Sequence, residues 1–198
     1  LSVKLYSRVA ISNISTLALD EGSRTSATLA RVLLAERFGL HPELEPLPLG
    51  ETVDASTADA VVLIGDRAMH PLKETFVETW DLGDVWSQWT GLPFVFALWA
   101  TRRGTVLGAV EDALAAARDR GLEHLNQIAE RESLELGIPA DSASAYLHDN
   151  LHFHLGPAER HGMALFQRLA IAQGLAPENV DLVFRDSNPV EQSLLHRN

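Results

Sequence analysis

Leu19-Asp20-Glu21-Gly22-Ser23-Arg24-Thr25-Ser26 decides how this chain folds. The run Thr16–Leu19, which leads into it, is apolar and suits a short strand ending at Asp20. Behind it, Leu29, Ala30, Val32 and Leu33 share one face of a helix over Ser26–Phe38, with Arg31, Glu36 and Arg37 outside. Gly39 stops that helix. A strand that turns through Gly22 and a run of hydroxyl residues into a helix makes a natural anion site. The first amides of the helix lack internal partners, and the helix dipole favours negative charge there. Arg24 adds a planar, permanently charged donor fork suited to a carboxylate. Ser23, Arg24, Thr25 and Ser26 are therefore candidate ligand contacts. The plainer alternative is an ordinary serine cap beside a surface arginine.

Working outward, strands and helices alternate through the first half. Val3–Val9 has the period of a strand, and Leu44–Leu49, with its two prolines, is a weak one. Ala60–Ile64 is uniformly apolar and largely β-branched, the mark of a strand buried on both faces. It runs into Gly65-Asp66-Arg67, at the carboxyl end where sites gather in α/β sheets. Gly65 and Asp66 join the candidate site. Asp66 could act as a general base or hold a substrate hydroxyl, or it could simply cap the turn and pair with Arg67. Pro71–Glu78 reads as a loop or short helix, Leu82–Trp89 as a helix opened by Asp81, and Phe94–Trp99 as another buried strand.

After Ala100 the pattern turns helical, over Thr105–Arg120, Leu122–Leu136, Ser142–Asn150 with Asp141 as cap, and Pro157–Gln173, with a last strand at Asp181–Phe184. The fold class is α/β. The chain begins at Leu1 and its first residues already read as a strand, which predicts a further segment in front.

The chain has 198 residues, a net charge of −11 and no cysteine. Thiolate metal sites, disulfides and thiol nucleophiles are excluded. The acidic balance argues against nucleic acid and against an anionic membrane surface as partners. No apolar run is long enough to span a bilayer and no signal peptide is visible. His148, His152 and His154 cluster in sequence but match no metal-ligand spacing, so no metal is expected. There is no phosphate-binding glycine loop and no G-x-S-x-G nucleophile context.

The run from Asp81 to Trp99, DLGDVWSQWTGLPFVFALW, is similar to a signature of bacterial chorismate dehydratases of the futalosine route to menaquinone, as are Asp20–Ser26 with its helix and Leu63-Ile64-Gly65-Asp66-Arg67-Ala68. The resemblance is strong over Val3–Trp99 and weak beyond. It implies a two-lobed fold like that of type II periplasmic binding proteins, lacking here an N-terminal segment of the first lobe. Residues 1–95 would form an α/β lobe carrying the anion-binding helix. Residues 96–198 would be a helix-rich part of the other lobe, completed by the missing segment. It further implies a cytoplasmic lyase that removes water from chorismate to give 3-[(1-carboxyvinyl)oxy]benzoate without a cofactor.

On that reading the Ser23 and Thr25 hydroxyls and the Thr25 and Ser26 amides would hold a substrate carboxylate. A small anionic substrate is then the partner, and a homodimer is the assembly left open. Three alternatives stand: the sister enzyme acting on a dehypoxanthine futalosine, a non-catalytic solute-binding protein for a small carboxylate, and the effector-binding domain of a regulator.

Overall fold

The computed structural model describes residues 2–184; residues 185–198 of the expected second lobe lie outside the described residues. One mixed five-stranded sheet organises the first half. Its strands are β1 (Val3–Ser7), β2 (Thr16–Asp20), β3 (Glu43–Leu47), β4 (Ala60–Ile64) and β5 (Glu78–Asp81), in the order β3-β2-β4-β1-β5. β2 runs parallel to both β3 and β4, whereas β1 is antiparallel to β4 and β5. The all-apolar β4 takes the centre, where both of its faces are covered. The edge goes to β3, whose Pro46 has no amide to donate and whose Glu43 and Glu45 discourage further pairing.

The strand period of two divides the core between the two faces. Ala60 and Val62 of β4, with Leu5 and Leu17, join Leu29, Leu33 and Trp86 beneath the helices. Val61 and Leu63, with Tyr6 and Ala18, pack on the other side against Leu47, Val53 and Ala68. Each fully buried leucine or valine stabilises the fold by about 1.5–3 kcal/mol relative to exposure.

Helix α1 (Arg24–Phe38) is opened by the Ser23 cap and closed by Gly39. Gly39 sits at φ 66°, and its amide and that of Leu40 return to the carbonyls of Ala35 and Leu34. α2 (Leu82–Thr90) starts at Asp81, whose carboxylate accepts from the amides of Gly83 and Asp84 at 3.0 and 3.2 Å. The second half supplies α3 (Val110–Glu123), α4 (Leu125–Leu136), α5 (Ala140–Ala145) and α6 (Pro157–Ala172), with a π-turn over Tyr146–Asn150 following α5. α6 returns to the first half: Leu165, Phe166 and Leu169 pack against the α1/α2 core. α4, α5 and the π-turn form a small cluster around Ala129, Ile138 and Ala143 that touches Met69.

The α/β class expected from sequence is present, with several elements redrawn. β5 was hidden because only four residues, mostly polar, form it. Phe94–Trp99 is not a strand. Phe94 instead turns its ring onto Trp86 at 5.4 Å and Phe166 at 4.8 Å, and Phe96 packs against Phe94 at 4.6 Å. Leu98 and Trp99 stay 47 % and 64 % exposed. Among the described residues no strand lies beside this run, so its backbone has nothing to pair with. α3 begins at Val110 rather than Thr105, and α5 at Ala140, before Asp141, which gives it no side-chain cap. Among the described residues Asp181–Phe184 has no strand partner and forms no regular element.

Candidate functional site

The parallel register of β2 and β4, with Leu19 opposite Val62, brings their carboxyl ends together. β1 runs the other way, so its amino end reaches the same edge: Val3 pairs with Ile64, and the Gly65 amide donates to the Ser2 carbonyl at 2.7 Å. Turn Asp20–Ser23, turn Gly65–Ala68 and Ser2 thus share one edge of the sheet. A Cβ built on Gly22 would lie 3.0 Å from Asp20 Oδ1, 3.2 Å from Leu49 and 3.3 Å from Ile64, so the turn packs closely on the ends of these side chains. Gly65 has φ 71° and open space where a side chain would stand, so its backbone faces the solvent side of the edge.

At the head of α1 the cap consumes part of the expected donor set. Ser23 is extended, with φ −145°, and its Oγ accepts from the Ser26 amide at 3.1 Å. The Ser23 hydroxyl donates to Ser26 Oγ at 2.8 Å, and Ser26 is buried. Ser26 therefore faces its own cap. Arg24 is exposed and Thr25 half-buried; among the described residues neither side chain has a hydrogen-bond or ion-pair partner. The Arg24 and Thr25 amides are the two that precede the capped one, and the helix supplies no acceptor for them.

Asp66 is exposed at the start of a short 3-10 turn, where its carbonyl accepts from the Met69 amide at 2.8 Å. It does not pair with Arg67. That guanidinium reaches Asp20 instead, with Nη2 2.6 Å from Oδ2, and Nη1 donates to the Glu51 carbonyl at 2.5 Å. Asp20 is buried, its side chain 1 % exposed, and its other bonds come from the amides of Gly22 at 2.9 Å and Ile64 at 3.2 Å. Sequence reasoning placed Asp20 at the strand end but gave it no role. The available signal was a carboxylate closing an apolar run, which cannot be buried without a cation or several amides.

Beside Gly65 and Asp66 lies a groove of about 310 Å³, walled on its far side by α4, α5 and the π-turn. Met69, Leu136, Ile138 and Leu147 make it largely apolar. At its rim the Tyr146 hydroxyl and Ser2 Oγ are 2.8 Å apart. Neither Tyr146 nor Ser2 carried any sequence signal, because only the tertiary fold sets them side by side.

Trp86 is fully buried, ringed edge-on by Trp89, Phe94 and Phe166 at 5.4–6.0 Å, and belongs to the core. His148 bonds Asn126 at 2.9 Å, whereas His152 and His154 are exposed in the segment before α6. Among the described residues no three histidine or acidic side chains converge as a metal ligand set, and no helix is long and apolar enough to cross a membrane.

A family model described as menaquinone biosynthesis matches residues 1–172. A chorismate dehydratase of Thermus thermophilus is 37 % identical over 182 residues, which take in 83 % of this chain and 66 % of that protein. The chain therefore spans just under two thirds of that relative's length.

Proposed function

This chain belongs to the menaquinone-biosynthesis family, and from that premise we propose that it dehydrates chorismate to 3-[(1-carboxyvinyl)oxy]benzoate. The observation that carries the reading is the open head of α1, where two amides, the Thr25 hydroxyl and Arg24 have no partner among the described residues, after the strand β2 that runs parallel to β4 and its Gly65 turn. The likeness to the Thermus thermophilus dehydratase supports chorismate as the molecule held there.

Chorismate carries two carboxylates. Losing its ring hydroxyl and a neighbouring ring proton as water makes the ring aromatic, so the product is strongly favoured. The protein's task is to grip a dianion, orient the ring and shield it from water. Thr25 and Arg24 take one carboxylate, with the amides at the head of α1 adding dipolar attraction. Asp66, at the groove rim, is the candidate proton acceptor or hydroxyl anchor. The apolar groove wall suits an aromatising ring. The two-lobed arrangement, with residues 1–95 as one lobe and part of 96–198 in the other, belongs to this proposal, as do a cytoplasmic location and a homodimer. Packing of Leu165, Phe166 and Leu169 of α6 on the first-half core supports counting that helix with the 1–95 lobe in this reading.

The test is to incubate the intact protein carrying this chain with chorismate and follow the ultraviolet spectrum. Growth of the aromatic product's absorbance is the expected result. Tight chorismate binding without turnover would make the protein a receptor for a small carboxylate. Neither binding nor turnover would overturn the assignment.

A further inference from the structure

Arg67 touches two of the turns that leave the parallel strands and belongs to the third. It lies on the turn after β4, its Nη2 holds Asp20 at the end of β2, and its Nη1 holds the Glu51 carbonyl in the loop after β3. Asp20 carries the connection further, because its carboxylate also accepts from the amides of Gly22 and Ile64. The buried carboxylate therefore stands one residue from the turn that feeds the Ser23 cap. An unneutralised negative charge at that place would oppose any anion held at the head of α1. It would also be a buried ion without a counter-charge, which the interior does not tolerate.

We infer that Arg67 is the positioning residue of this site: with Asp20 it clamps the turns after β2, β3 and β4 in fixed relation and cancels the charge that would otherwise repel the bound carboxylate. The second half of this statement rests on the reading of the α1 head as a carboxylate site. Arg67 does not contact the ligand. Its effect passes through Asp20 and the backbone of Gly22 and Ile64. Two consequences separate it from a bland surface ion pair. Its removal harms anion binding through the charge left behind, so neutralising Asp20 as well must restore binding. Its removal also loosens three turns that are distant in sequence, and loosens them together.

The experiment compares the intact protein with its Arg67→Lys, Arg67→Met and Asp20→Asn/Arg67→Met variants. Affinity for chorismate is measured by calorimetry, steady-state KM and kcat by the aromatic product, and amide hydrogen exchange over residues 20–23, 49–52 and 64–67. Arg67→Met is expected to raise Kd and KM about tenfold or more. The double variant should recover most of that loss, since asparagine keeps an acceptor without the charge. Arg67→Lys keeps the charge but has one ammonium where two guanidinium nitrogens hold Asp20 and Glu51, so its affinity should fall between those of the parent and Arg67→Met. Exchange should rise in all three turns at once in Arg67→Met.

Arg67→Lys and the double variant carry the test if Arg67→Met fails to fold. Equal affinity across the folded variants, or a double variant weaker than Arg67→Met, would overturn the charge argument. Faster exchange confined to one turn would overturn the clamp. If the parent binds no chorismate while the three turns still loosen together, the functional reading fails and the clamp stands.

Discussion

At the scale of single residues, neighbours at the head of α1 do different work. The Ser23 side chain is spent on the helix, because its Oγ accepts from the Ser26 amide and its hydroxyl donates to Ser26 Oγ. Ser23→Ala is expected to cost about 1 kcal/mol of stability, the usual value of a lost serine cap. In a chain of this size the melting temperature should fall by about 2–4 °C. Arg24 is exposed and makes no ion pair among the described residues. Arg24→Ala should leave the melting temperature nearly unchanged while weakening binding of chorismate or a benzoate-type product analogue, as read by calorimetry. Lost stability at unchanged affinity would assign Arg24 to the scaffold. Asp20 shows how far residue type alone can mislead. An acidic residue reads as surface, yet the fold buries it, because Arg67 and two amides replace its water.

At the scale of elements, α6 is held by a close backbone approach. A Cβ on Gly162 would stand 2.2 Å from the Pro93 carbonyl oxygen, nearer than any relaxation of side chains could accommodate. Gly162→Ala must push α6 away from residues 92–93 and with it Phe166 out of the Trp86 cluster. We expect a destabilisation of about 1–3 kcal/mol by denaturant titration, with a loss of near-ultraviolet tryptophan signal. Gly121, inside α3, has nothing within 4 Å and is not at a positive φ. Gly121→Ala should therefore stabilise, by about 0.5–1 kcal/mol, because alanine loses less backbone freedom in a helix. Opposite signs from the same substitution in two helices would separate packing from propensity. Phe94–Trp99 belongs to this scale as well. Its composition suits a strand, but a strand needs a neighbour, and among the described residues the sheet ends at β5.

At the scale of the whole molecule, stability depends on pH through groups that the fold holds away from their ordinary values. The Asp59 carboxyl is held below its ordinary value, first by the Ser15 hydroxyl and then by the Ser15 amide, and Glu74 is held down by its hydrogen bond from Arg8. Groups with depressed folded values contribute stability that is complete above their unfolded values, 3.8 and 4.5, and lost as pH falls through the folded ones. Acid unfolding should begin below about pH 4.5, and Asp59→Asn should flatten the curve at its acid end. Tyr6 behaves oppositely. Burial, and then the charge of Asp81, raise its phenol to about 12 from 10.0. The folded state keeps a proton that the unfolded chain releases, so stability falls as pH rises from 10.0 toward 12. Tyr6→Phe should remove that alkaline loss in a fluorescence melt.

What depends on neighbours along the chain was legible before any coordinates. The face of α1, the Gly39 stop and the buried character of Ala60–Ile64 follow from local periodicity and turn chemistry, whereas for Ser23 the sequence left ligand contact and helix cap both open and the structure shows the cap. The family signature also lies in contiguous motifs. Which distant groups meet was set by the assembled fold. It sent Arg67 to Asp20 rather than Asp66, set Ser2 against Tyr146, and folded α6 back on the core. Each of these joins residues far apart in the chain, and such contacts depend on strand order and register. Those are settled by how two buried faces share one sheet, and no local pattern encodes them.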